Sequence, residues 1–208
     1  MPDASFPSCW GWLGVRQQTL RDMFRRCPSA AAYFTGFEEG NKTAYAIGTV
    51  LESNIVWTFD SAVHGTIATA DRFEGSRGVR LARNNPGATE ASIYTQVITG
   101  NFSALSFKYA KYGTDPDVTM RAEVSTDDGA TWLQVGTDFV ASSTTLTLFQ
   151  EALGPYQDVN IRIRTISGGT GSRVRSNIDT LTLVPEPVSL SAMGLLVCGA
   201  AWLWRRVR

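Results

Sequence analysis

Apolar and polar side chains alternate with a period of two along much of residues 35–184, and nothing there repeats at the helical spacing of about 3.6 residues. Leu105, Phe107 and Tyr109 alternate with Ser106, Lys108 and Ala110. Val118, Met120, Ala122 and Val124 alternate with Thr119, Arg121, Glu123 and Ser125, and Val159, Ile161 and Ile163 with Asn160, Arg162 and Arg164. Each run turns one face to a core and the other to water, as a half-buried antiparallel strand requires. Further strands are expected at 44–51, 55–59, 79–83, 91–98, 132–135, 144–151 and 178–184. Turn signals separate them: Asn84-Asn85-Pro86-Gly87, Gly113-Thr114-Asp115-Pro116, Asp128-Gly129 and Gly168-Gly169. About ten short strands without a helical period define an all-β chain, a jelly-roll-like antiparallel β-sandwich.

Composition excludes several functions. The central segment 35–184 carries 12 basic and 16 acidic side chains, and this acidic balance argues against a nucleic-acid partner. All three cysteines, Cys9, Cys27 and Cys198, lie outside that segment, which therefore holds no disulfide and no thiolate metal site. Residues 1–34 form an N-terminal extension, disordered or the product of a mis-assigned start. Their apolar stretch from Phe6 to Val15 has no basic residue before it, and Arg21, Arg25 and Arg26 break up the segment after it, so no clean signal peptide is legible.

The C-terminal end has three parts in order: Pro185-Glu186-Pro187, an uncharged run over 188–204, and Arg205-Arg206-Val207-Arg208. As a helix the 17-residue run would span roughly 25 Å, at the short end of a transmembrane length. Trp202 and Trp204 suit an interfacial belt, and Arg205, Arg206 and Arg208 act as a membrane stop on the cytoplasmic side. The rival reading is a core helix of the globular part. The arrangement over 185–208 resembles the PEP-CTERM sorting signal of Gram-negative bacteria. That resemblance implies an exosortase as partner, with Pro185, Glu186 and Pro187 as the sorting and cleavage motif. It also implies an exported, inner-membrane-anchored precursor delivered to the cell surface or extracellular matrix. The prolines keep the motif extended, a form a protease cleft accepts.

Within the sandwich, Ser125-Thr126-Asp127-Asp128-Gly129-Ala130-Thr131-Trp132 matches the Asp-box pattern and resembles a hairpin of sialidases and other secreted β proteins. It is a fold element, with Trp132 packing under the turn. Phe37–Lys42, Asp71–Arg77, Phe107–Gly113 and Asn177-Ile178-Asp179 resemble jelly-roll modules of secreted bacterial proteins, including some extracellular nucleases, and carbohydrate-binding modules in architecture. That likeness implies a binding or adhesive role.

No catalytic residue is assigned. The single histidine, His64, has no nucleophile motif to serve, and Glu38-Glu39 and Asp127-Asp128 are sequence neighbours that a strand would point to opposite faces. The cofactor expectation is none, apart from a structural calcium bridging Glu38 near the start of the sandwich and Asp179 near its end. A polysaccharide ligand needs exposed aromatic rings, for which Trp57, Tyr94 and Tyr112 are the candidates, each with core packing as the alternative. The outward set Lys108, Arg121, Glu123, Arg162 and Arg164 is either part of such a face or a solvated ladder of charge pairs. Three functions are compatible with these residues: a non-enzymatic sorted surface protein, a carbohydrate-binding module for exopolysaccharide, and a hydrolase with convergent carboxylates in a cleft.

Overall fold

The strand registers build two antiparallel sheets that share one long strand. The computed structural model describes residues 32–186. The N-terminal extension up to residue 31 lies outside the described residues. So do Pro187, the expected membrane helix over 188–204, and Arg205, Arg206 and Arg208. Eleven strands run in chain order as β1 Tyr33–Thr35, β2 Gly48–Glu52, β3 Ile55–Asp60, β4 Ala62–Gly65, β5 Gly78–Arg83, β6 Ser92–Thr95, β7 Ile98–Lys111, β8 Val118–Ser125, β9 Leu133–Ala141, β10 Thr147–Ser167 and β11 Val174–Pro185. No helix occurs among the described residues.

Sheet 1 runs β4-β5-β11-β7-β10, with the short β1 beside the C-terminal half of β11. Sheet 2 runs β2-β3-β6-β10-β8-β9. The 21-residue β10 belongs to both: Thr147–Val159 pairs with β7, and Asn160 onward pairs with β6 and β8. The crossing falls where its register with β7 shifts around Asp158, whose φ of 52° puts an extra kink in the strand. A strand that changes sheets in this way makes a corner of the sandwich.

Alternation then sorts side chains between core and surface. Trp57, Phe59, Ile93, Met120, Ala122, Ile161 and Ile163 of sheet 2 meet Val79, Leu81, Leu105, Phe107, Ile178 and Leu183 of sheet 1 in one apolar cluster. Phe37, from the loop after β1, plugs the same core with its ring edge-on to Trp57 at 5.2 Å. The expected all-β sandwich is present, and the predicted strand over 118–125 coincides with β8. The run 44–51 is strand only from Gly48, because the preceding residues form a loop held by Lys42, whose ammonium donates to the carbonyl of Ala62 at 2.8 Å. The run 91–98 divides into β6 and the start of β7. Strand β4, which alternation did not mark because all four of its residues are buried, is an additional finding. Strand β1 begins at Tyr33, two residues before the expected boundary.

Candidate functional site

The outward row of sheet 2 assembles one polar groove. Thr58, Tyr94, Arg162, Glu123 and Gln134 lie opposite one another in successive strand pairs, so their side chains share the outer face. Glu123 is only 4% exposed and is surrounded by cations: it accepts from Arg162 Nε at 2.5 Å and from Arg164 Nε at 3.2 Å. Arg164 also reaches Glu90 at 2.8 Å, and Arg121 makes a two-pronged pair with Asp138 at 2.8 and 3.0 Å. These paired charges neutralise one another, and Glu123 locks the direction of Arg162.

The Asp-box hairpin between β8 and β9 forms one wall. Thr131 donates its hydroxyl to Asp127 at 2.5 Å and its N–H at 2.8 Å, and the Ser125 hydroxyl donates to Asp127 at 2.7 Å. Those donors, the Thr131 hydroxyl first, pull the Asp127 carboxyl down to about 2. Asp128 and Gly129 come next with φ of 56° and 83°, the left-handed turn that brings the chain back. A β-carbon on Gly129 would lie 3.4 Å from the Trp132 ring, so the turn rests against the indole as the motif implied. Trp132 stays partly exposed and carries the Arg162 guanidinium 4.1 Å from its ring centroid.

The result is a groove of about 490 Å³. Tyr94, Arg162 and Asn160 belong to β6 and β10, Asp128 and Trp132 to the hairpin, while Asp60 ends β3 and Gln96 directly follows β6. Asn160 is 3% exposed; its amide nitrogen donates to the Thr95 carbonyl at 3.0 Å, and its Oδ1 has no partner among the described residues. A buried acceptor without a partner is costly inside a protein.

Of the three candidate aromatics, only Tyr94 lines this groove. Trp57 is corrected to a core residue: it is fully buried, and its indole N–H donates to the Tyr33 hydroxyl at 2.9 Å, which in turn donates to the Glu52 carbonyl at 3.1 Å. Tyr112 is corrected as well. It is only 7% exposed, with the guanidinium groups of Arg80 at 5.0 Å and Arg175 at 3.9 Å from its ring centroid, so it offers no platform to a sugar. Those arginines are themselves tied to Asp71 and Asp115. Trp132, Asp60 and Asn160 are among the groove residues that the sequence pattern did not single out as ligand contacts, and Glu123, named there only within the outward charged set, lies beneath Arg162. The signal for Trp132 was its place at the end of the Asp box, while the role of Glu123 depends on register.

Glu38 and Asp179 sit at a different place. Glu38 accepts from the Ser76 N–H at 3.0 Å, from the Ser76 hydroxyl and from the Arg77 N–H at 3.4 Å. Asp179 is fully buried and accepts from the N–H groups of Glu74 and of Thr180, the latter at 2.8 Å. Burial, with the negative charges of Glu74 and Glu38 nearby, pushes its carboxyl up to about 6. A calcium ion needs six to eight oxygens; here the carboxylate oxygens face N–H and O–H donors. Among the described residues no three His, Cys, Asp or Glu side chains converge on a metal position.

His64 is buried, with its Nδ1 accepting from the Lys42 N–H at 2.8 Å and its Nε2 donating to Glu52 at 3.0 Å. Glu52 also accepts from the Gly40 N–H at 2.7 Å, so the pair anchors the loop before β2. Of the sorting motif, Pro185 closes β11 opposite Phe102, and the Glu186 N–H donates to the Asn101 carbonyl at 3.0 Å.

No protein-family model matches this chain, and no curated protein is detectably similar to it in sequence. Solved structures are similar in fold. The K1 cleaved adhesin domain of Lys-gingipain from Porphyromonas gingivalis superposes with a TM-score of 0.54 at 11% identity, covering 76% of this chain and 99% of that one. The K2 cleaved adhesin domain of Lys-gingipain gives 0.52 at 12% identity, covering 75% and 99%. The CBM22-1 xylan-binding domain of a Paenibacillus barcinonensis xylanase gives 0.51 at 12% identity, covering 76% and 98%. The chain thus has the jelly-roll β-sandwich fold found in carbohydrate-binding and adhesin modules. At these identities the likeness establishes the fold alone.

Proposed function

We propose that this protein is a non-enzymatic, exported binding protein, sorted by an exosortase to the cell surface or extracellular matrix, whose sandwich holds a polysaccharide in the groove of sheet 2. The observation that carries the binding reading is Arg162. Glu123 below it and the Trp132 ring beside it fix its guanidinium before any ligand arrives, and Tyr94 stands across the strand pair. A side chain ordered in advance loses little entropy on binding. The sorting reading is supported by the sequence order of Pro185-Glu186-Pro187, apolar run and arginines, and by a last strand that runs directly into the motif.

The hydrolase reading needs a carboxyl held above its ordinary range and open to a substrate. Asp179 meets the first condition and is sealed from solvent. A glycan array probed with residues 32–186 tests the binding reading: binding is expected, and Trp132→Ala should weaken it at least tenfold. A silent array rejects the reading. Cell fractionation tests the sorting reading, because a wholly cytoplasmic product with Arg205–Arg208 intact rejects it.

A further inference from the structure

We infer that the groove of sheet 2 selects neutral polysaccharide chains and rejects polyuronates; this rests on the polysaccharide-binding reading. The groove is lined by one cation and two carboxylates. Arg162 commits its Nε to Glu123, which is buried beneath it, so much of its charge is already balanced. Asp60 and Asp128 line the walls, and neither forms a salt bridge among the described residues, though Lys42 is near enough to Asp60 to feel its charge. An anionic chain entering here would meet the negative charges of half-exposed Asp60 and exposed Asp128. A polyuronate site needs the opposite balance, with arginine or lysine in excess.

The same groups suit neutral sugar hydroxyls. Each hydroxyl both donates and accepts, whereas a carboxylate only accepts and a guanidinium only donates. Asp60 and Asp128 can each take hydroxyl hydrogens, and the terminal amino groups of Arg162 can donate. The polar groups therefore accept a neutral chain and disfavour an anionic one, with the two aspartates acting as the filter.

Affinity electrophoresis of the full-length protein against neutral arabinoxylan and against polygalacturonate, at matched low ionic strength, tests this. Retardation by the neutral polymer is expected, with polygalacturonate weaker by roughly tenfold or more. The double variant Asp60→Asn, Asp128→Asn should narrow that gap several-fold; asparagine tolerates the left-handed backbone at position 128. Raising salt should narrow it too, because screening weakens the repulsion. Equal or tighter wild-type binding to polygalacturonate overturns the charge filter while leaving polysaccharide binding standing. A gap that neither salt nor the double variant changes also overturns it. No retardation by any neutral glycan removes the binding reading itself.

Discussion

The two faces of sheet 2 come from the same strands and do opposite work. On the inner face Trp57, Phe59, Ile93, Ile161 and Ile163 are sealed from water. One residue along each strand, Thr58, Tyr94, Arg162 and Glu123 form the polar row of the groove. A one-residue slip would exchange the two sets, so the core holds the groove in register. The two tryptophans show the difference most plainly. Trp57 gives its N–H to a buried tyrosine and offers nothing to a ligand, while Trp132 backs a cation at the edge of a turn.

The greatest damage to this arrangement is expected from the core. Trp57→Ala should destabilise the sandwich by about 3–5 kcal/mol, read from urea or thermal unfolding. The fraction that remains folded should still bind ligand, because the outer face is untouched. A binding loss beyond the folded fraction would show that the faces are not separable.

Glu123→Ala strikes the boundary between the faces. It leaves Arg162 and Arg164 without their shared acceptor, at a cost of about 2–3 kcal/mol, since both arginines remain about one-quarter exposed. It should also free Arg162 and weaken ligand binding, whereas Trp57→Ala should not. Measuring stability and affinity on the same preparations separates the two effects.

Sheet 1 supplies a contrast to the compensated Glu123. Asp179 has only N–H donors and negative neighbours, and its carboxyl rises from an ordinary 3.8 to about 6 on folding. Between those values the folded protein holds a proton that the unfolded chain has released. Stability should therefore fall as pH rises from about 4 to 6, by on the order of 2–3 kcal/mol, and then level off. Urea midpoints across that window check the slope, and Asp179→Asn should flatten it. An unchanged slope in the variant would assign the effect elsewhere.

The smallest effect is expected at the hairpin wall. Asp127 is depressed from 3.8 to about 2 in the folded state, so its contribution is complete above 3.8 and is lost as pH falls through about 2. Asp127→Ala should lower the melting temperature slightly at pH 7 and reduce the acid sensitivity below pH 3.8. A variant with the wild-type acid limb would mean that the Asp box does not depend on that carboxylate.

Much of the fold was legible because β-strand burial has a period that a sequence displays directly. Met120, Ala122 and Val124 face inward as their alternation requires, and Asp128-Gly129 makes its turn because few other pairs accept two left-handed residues in succession. Trp57 could also have been placed, since it shares parity with Ile55 and Phe59, and that parity outweighs the general affinity of tryptophan for sugars. The kink of β10 at Asp158 is not marked at that residue, although Gly154 and Pro155 mark the neighbouring register shift between Ala152 and Tyr156.

Reading along the chain is enough to establish an all-β protein, its main strand faces, its Asp-box hairpin and the order of motif, apolar run and arginines at the C-terminal end. Three features emerge only once the sheets are assembled: which aromatics stay open, the gathering of two arginines on Glu123, and the meeting of Asp60 and Asp128 in one groove. Alternation is a local property and can be read along one strand. The groove depends on which strands are neighbours and in what register, and those pairings join residues tens of positions apart.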